Sequence, residues 1–298
     1  AFMKHVGLNV AADPLMTLMY AGVVGGMVIL SADDPSAHSS QNEQDNRYYA
    51  ALGHIPMLEP STPQEAKDML RDAYRMSEEL GLPFLYRTTT RVNHGRSVVD
   101  FGEIEQHPAK GTFVKDDAKF INTPNNAKNN RIVLLKKMEK ALEMSEASPL
   151  NFVDGDKDSE VGIICSGVAY TYAKEFIGDV AILKLGFTNP VPEKKICEFV
   201  KGKKFIIIME ELDPYLEDNV LRVLGQYHVD VPVYGKRSGH LPYEWEYSPD
   251  TVKKLACLVK VASFPQPLGD VDVKLPMRPA TLCAGCPHRG TYAATKKA

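Results

Sequence analysis

Cysteine and tryptophan are scarce in this 298-residue chain, with five of the former and one of the latter. The thiols, Cys165, Cys197, Cys257, Cys283 and Cys286, are odd in number and lack the spacing of a disulfide framework. That excludes a small secreted scaffold and points to a reducing, cytoplasmic compartment. Charge of one sign is not in excess either: 35 Lys and Arg stand against 38 Asp and Glu. With no basic stripe interleaved with aromatics, nothing in the composition suits nucleic acid. No apolar run approaches the roughly 18 uncharged residues that span a bilayer, since "MYAGVVGGMVIL" is too short and too rich in glycine, and no membrane partner is expected. Internal repeats and low-complexity tracts are absent. The opening "AFMKHVGLNVAADP" has neither an initiator methionine nor a cationic-then-apolar leader, so it reads as a point inside a longer chain.

What is present is a globular composition, 44% hydrophobic and 24% charged, with room for two domains. Short apolar or β-branched runs alternate with helical periodicity: "GGMVILSADD", "PFLYRTTTRV", "EVGIICSGVAY", "DVAILKLG", "KKFIIIMEE" and "DVPVYGK". Such alternation predicts βαβ units, hence an α/β fold of doubly wound, mainly parallel sheets. At "STPQEAKDMLRDAYRMSEELGLP", Thr62 can cap a helix, Pro63 fits its first turn and Glu65 completes a capping box. Gly81 and Pro83 close it. Asp213 with Pro214, and Ser248 with Pro249, repeat the device. The boundaries read as 1–100 for a first domain, 101–153 for a polar connector with one helix from Arg131 onward, 154–265 for a second domain, and 266–298 for a proline-punctuated linker and the start of a third.

Candidate chemistry gathers in five places. In "KHVGLNVAADPLMT", Lys4, His5, Gly7 and Asn9 form a glycine-containing polar loop before a helix expected near Asp13, a setting that can offer backbone N–H groups to a polar ligand or serve as a plain turn. "SADDPSAHSSQNEQDNRYYA" follows a strand, which places Asp33, Asp34, His38, Ser39, Ser40, Gln41 and Asn42 at its C-terminal end, where open α/β sheets bind ligands. A capping box from Ser40 to Glu43 accounts for part of that pattern. "LYRTTTRVNHG" offers Arg87, Arg91 and His94, and an arginine at a strand end can clamp a carboxylate. The adjacent Glu210 and Glu211 of "MEELDP" read as a cap or domain contact more readily than as catalytic acids. Cys283 and Cys286 in "TLCAGCPHRG" are spaced either as a metal half-site or as a structural pair. Cys165, Cys197 and Cys257 sit among apolar neighbours and read as packing.

Taken in order, "KHVGLNVAADPLMT", "ADDPSAHSSQNEQDNRYYA", "RTTTRVNH" and "CAGCPHRG" resemble the alpha subunits of indolepyruvate:ferredoxin oxidoreductases, within the 2-oxoacid:ferredoxin oxidoreductase superfamily. The resemblance covers essentially the whole chain. It implies an oxidative decarboxylation of arylpyruvates with CoA and ferredoxin to aryl-acetyl-CoA and CO2. It also implies thiamine diphosphate with Mg2+, [4Fe-4S] clusters and a beta, gamma-type partner subunit. The two domains would then be a thiamine-enzyme pyrimidine-type domain and a transketolase C-terminal-type domain, with residues from 281 opening the diphosphate domain. In that frame His5 and His38 are the catalytic candidates. Lys4, Gly7, Asn9, Ser39, Ser40, Gln41 and Arg91 would face substrate or cofactor, and Cys283 and Cys286 would be the first two cluster ligands. The family's activating acid is expected upstream of Lys4 and its metal-binding turn beyond residue 298, so the chain reads as an internal fragment, inactive by itself. The alternatives are a non-catalytic scaffold of the same fold and a related oxidoreductase with an aliphatic substrate.

Overall fold

The runs VILSAD and FLYRTT become neighbouring strands, as expected of apolar segments that a parallel sheet buries on both faces. The computed structural model describes residues 1–38, 40–104, 111, 114–177, 180–258, 274, 276, 286 and 288–298. In chain order the elements are β1 (Phe2–Lys4), α1 (His5–Val10), α2 (Ala12–Ala21), β2 (Val28–Asp33), α3 (Arg47–Gly53), β3 (Met57–Leu58), α4 (Pro63–Leu80), β4 (Phe84–Thr89), α5 (Thr90–His94), α6 (Asp117–Phe120) and α7 (Pro124–Ala147). They continue with β5 (Phe152–Asp154), β6 (Val161–Ser166), α8 (Ala169–Phe176), β7 (Ala181–Leu185), β8 (Phe187–Asn189), α9 (Glu193–Val200), β9 (Phe205–Met209), α10 (Tyr215–Gln226), β10 (Val233–Tyr234), α11 (Pro249–Leu258) and α12 (His288–Lys297).

The first sheet has the order β1-β2-β4-β3-β8 and the second β10-β9-β6-β7-β5; both are parallel except at the edge strands β8 and β5. This is the mainly parallel α/β architecture the alternation predicts. Strands β1, β3, β5 and β8 have only two or three residues each, too few to show a period. Both faces of the second sheet carry a core: Ile163, Ala173 and Leu255 lie on one side and Ile164, Ile196 and Val220 on the other. The first sheet packs with Met69, Ala73 and Leu80 of α4 and with Leu134 and Ala141 of α7.

The chain passes from one sheet to the other within a single residue. After β7 in the second sheet, Gly186 turns it into β8 of the first, so 187–189, inside the region read as 154–265, complete the sheet of the N-terminal half. A Cβ on Gly186 would lie 2.8 Å from Lys184 Nζ and 2.9 Å from the Leu150 carbonyl, so the crossing admits no side chain. Buried Asn151 holds the turn, its Oδ1 accepting from the N–H groups of Gly186 and Phe187 at 2.9 Å each.

Helix termini show where local rules held. Thr62 Oγ1 accepts from Glu65 N at 3.2 Å, Glu65 reaches back to Ser61 N, and Gly81 closes α4 in the left-handed region. Ser248 Oγ likewise accepts from Thr251 N. Three expectations are corrected. Asp213 does not cap α10; Glu210 does, accepting from Leu216 N at 2.7 Å and Glu217 N at 2.8 Å. The connector helix α7 starts at Pro124, inside the asparagine-rich stretch, because Thr123 caps it. Residues 5–10 are helix α1, not a loop. Ala1–Phe264 and Pro265–Ala298 are separate units. Among the described residues no helix is long and apolar enough to cross a membrane.

Candidate functional site

Register brings three strand ends level. Lys4 of β1 pairs with Ala32 of β2, and Asp33 of β2 with Thr89 of β4, so the chain leaves all three strands at one edge of the sheet. There, where an open parallel sheet offers its ligand crevice, a cleft of about 620 Å³ is lined by Lys4, Asp34, His38, Thr90, Arg91 and His94. Lys4 Nζ lies 2.6 Å from Asp34 Oδ2, which also accepts from Ser40 Oγ at 3.2 Å. Partial burial works to raise the Asp34 carboxyl, but Lys4 outweighs it and holds the group below its usual range. Opposite, Arg91 makes a two-bond pair with Glu246, with Nε to Oε2 at 2.7 Å and Nη2 to Oε1, and these bonds raise the guanidinium further. His38 Nε2 is 3.6 Å from the same carboxylate.

Below the cleft the ends of β2 and β4 are polar yet buried. Arg87 spans Asp33 (2.9 Å) and Glu59 (2.6 Å), and the Asn46 N–H donates to Asp33 at 3.0 Å. Burial pushes the Asp33 carboxyl up to about 6, with Arg87 pulling against it. A second buried arginine, Arg47, bonds Asp45 Oδ1 at 2.8 Å, Glu210 Oε2 at 2.6 Å and the carbonyls of Glu211 and Asp213. This network joins the two sheets. Glu210 and Glu211 are thus a helix cap and an inter-sheet contact, in line with the structural reading of that pair.

The candidates divide by position. Lys4, His38 and Arg91 come together in the cleft, and Ser40 supports Asp34 behind it. His5 is wholly buried behind the cleft wall, because α1 begins there and turns its ring inward; its Nε2 lies 3.2 Å from the Asn42 carbonyl and its Nδ1 has no partner. Gly7 permits α1 to approach β1, since a Cβ there would sit 2.9 Å from Met3 Cβ. Asn9 is exposed on α1 and accepts from the Tyr49 hydroxyl, and Gln41 is exposed. The Ser40–Glu43 capping box is not formed: α3 starts at Arg47, Ser40 serves Asp34, and Glu43 accepts from Ser36 N. Ser39 and Cys283 lie outside the described residues. Cys286 Sγ is 3.3 Å from His288 Nδ1. Cys165 is buried in β6, where desolvation raises its thiol, and Cys197 packs against the second sheet. The side chain of Cys257 is outside the described set. Among the described residues no group of three or more His, Cys, Asp and Glu is placed to hold a metal ion.

Sequence reasoning missed Glu246, Thr90, Asn46, Arg47 and Glu59. Thr90 and Arg47 were visible only as polar residues flanking strand or helix positions. Glu246 is separated from Arg91 by 155 residues and carries no local signal.

No protein-family model matches the chain. Along its whole length it is 45% identical to the protein named indolepyruvate oxidoreductase subunit IorA of Methanothermobacter thermautotrophicus and 46% identical to that of Methanothermobacter marburgensis. The corresponding subunit of Archaeoglobus fulgidus is 38% identical. The chain spans about half the length of these curated relatives, 49% in each case. Among solved structures, a 2-oxoglutarate:ferredoxin oxidoreductase from Magnetococcus marinus shares the fold, with a TM-score of 0.60 at 13% identity over 87% of this chain and 52% of that one.

Proposed function

We propose that this chain is part of an oxidoreductase subunit acting on 2-oxo acids of the arylpyruvate class, indolepyruvate among them, and that its cleft holds the acid's carboxylate. The observation that carries the reading is the 45% identity over the whole chain with an indolepyruvate oxidoreductase subunit. The cleft supports it: Lys4, His38 and Arg91 meet at the strand ends, and the Arg91 fork already grips a carboxylate there. The complete enzyme would then couple decarboxylation to CoA and ferredoxin with a beta, gamma-type partner subunit. Thiamine diphosphate with Mg2+ would supply the electron sink at the carbonyl carbon, and [4Fe-4S] clusters the electron path.

The side chains of the cleft suit an organic anion rather than a metal ion. Arg91 and Lys4 would bind and orient the carboxylate, Thr90 would hold Asp34 in place beside them, and half-exposed His38 would hold a proton at Nε2 next to the bound acid. Cys283 and Cys286 remain the proposed cluster ligands on this chain.

In the complete subunit pair, Arg91→Ala should raise KM for indolepyruvate by about tenfold or more through loss of a charge-assisted two-bond contact. His38→Ala should lower kcat/KM by about tenfold or more through loss of a proton-transfer group. Steady-state rates of ferredoxin reduction measure both. An Arg91→Ala enzyme with unchanged KM would remove the cleft from substrate binding.

A further inference from the structure

Glu246 sits where the carboxylate of a bound acid would sit. It receives both bonds of the Arg91 fork and faces His38, and only 16% of its side chain is exposed against 54% for Arg91. It is delivered by the segment 242–248 of the C-terminal half and tied down by its own N–H, which donates to Ser36 Oγ at 2.9 Å. The backbone on both sides of that bond lies in the left-handed region: Ser36, Ala37 and His38 at φ 72, 55 and 40, and Trp245 at φ 72. Four non-glycine residues hold this uncommon conformation where the two loops meet, the first three within a loop that also bonds itself through Ala37 N to the Asp34 carbonyl and Ser36 N to Glu43.

An ion pair with a half-exposed arginine is weakened by water, so a carboxylate that brings further contacts can replace Glu246. Resting on the reading of the cleft as an acid site, we propose that Glu246 is a built-in carboxylate of the Arg91 and His38 site that an arylpyruvate displaces on binding. It thereby sets the affinity of the site and restricts it to acids whose aryl group adds enough contact to win the exchange. Displacement frees the strained segment around Trp245, which is the sole tryptophan of the chain and is 60% exposed. Its emission is therefore a reporter of the exchange.

The test is a titration of the 298-residue chain with phenylacetate, an aryl carboxylate transparent at tryptophan excitation wavelengths, followed by Trp245 fluorescence. Wild type should show a saturable change. Glu246→Gln should bind about threefold tighter or more, with a smaller change in emission, because the competing charge is gone. Glu246→Asp, which keeps that charge, should not bind tighter than wild type. Arg91→Ala should not bind. Tighter binding cannot come from a damaged fold. If Arg91→Ala abolishes binding while Glu246→Gln leaves it unchanged or weaker, Glu246 is not a competitor and the acid site stands. If Arg91→Ala binds as wild type does, or if neither wild type nor Glu246→Gln binds, the acid site itself is wrong.

Discussion

Glu210 shows how one residue links a buried contact between the two sheets to pH. Burial raises its carboxyl from 4.5 to about 7, against the pull of Arg47 and two helix N–H groups. The unfolded chain therefore ionises this group at lower pH than the native one does. Between about pH 4.5 and 7 the native state binds the extra proton, so stability contributed by the protonated form is lost as pH rises through that window. The full span corresponds to an energy on the order of 3 kcal/mol. Urea unfolding at pH 5 and pH 7.5 should show a lower free energy at the higher pH, with a shallower slope in Glu210→Gln. Equal slopes in the two proteins would place the native pKa of Glu210 near its unfolded value. Asp33, raised to about 6, adds a drop of the same sign. Neither shift was legible in the sequence, because it arises from desolvation by residues of other elements. The Glu210–Glu211 pair did read as a cap or domain contact, but the residue expected to cap α10 was Asp213, because Glu210 stands five residues ahead of the helix and only the turn between them brings it to the helix N–H groups.

At the scale of elements, α4 is the segment in which every local signal agreed. Its cap, its proline at the first turn, its buried Met69, Ala73 and Leu80 and its terminal Gly81 all follow from adjacent residues. Thr62→Ala should cost about 1 kcal/mol, read as a shift in the denaturation midpoint, because Glu65 N loses its acceptor. A change within a few tenths would mean that water replaces the hydroxyl there. Helix α1 failed for the opposite reason. With six residues and Gly7 inside it, its propensity is poor, and it forms because Leu8 and His5 are buried against the sheet. The same packing withdraws His5 from the cleft.

Across the whole molecule Arg47 is the fastener. Wholly buried, it ties Asp45 beside α3 to Glu210 and to the Glu211 and Asp213 carbonyls at the end of β9. Arg47→Met removes one partner and leaves two carboxylates buried, so it should destabilise the protein by about 3–5 kcal/mol. Calorimetry of the variant should show a correspondingly lower unfolding temperature; an unchanged one would mean the carboxyls are held neutral.

The sequence by itself determined the α/β class, the main strands and most helices, because strand and helix periods and caps are properties of adjacent residues. It also placed His38 and Arg91 at strand ends, since polar residues after an apolar run mark the exit from a buried sheet. Tertiary structure alone decided which of those ends stand side by side, that β8 crosses into the first sheet at Gly186, that Arg47 and Arg87 are buried in ion networks, and that Glu246 meets Arg91. These depend on strand order and register, which bring together residues from 28 positions apart, as in Arg87 and Glu59, to 163 apart, as in Arg47 and Glu210. No local pattern in the chain encodes such contacts.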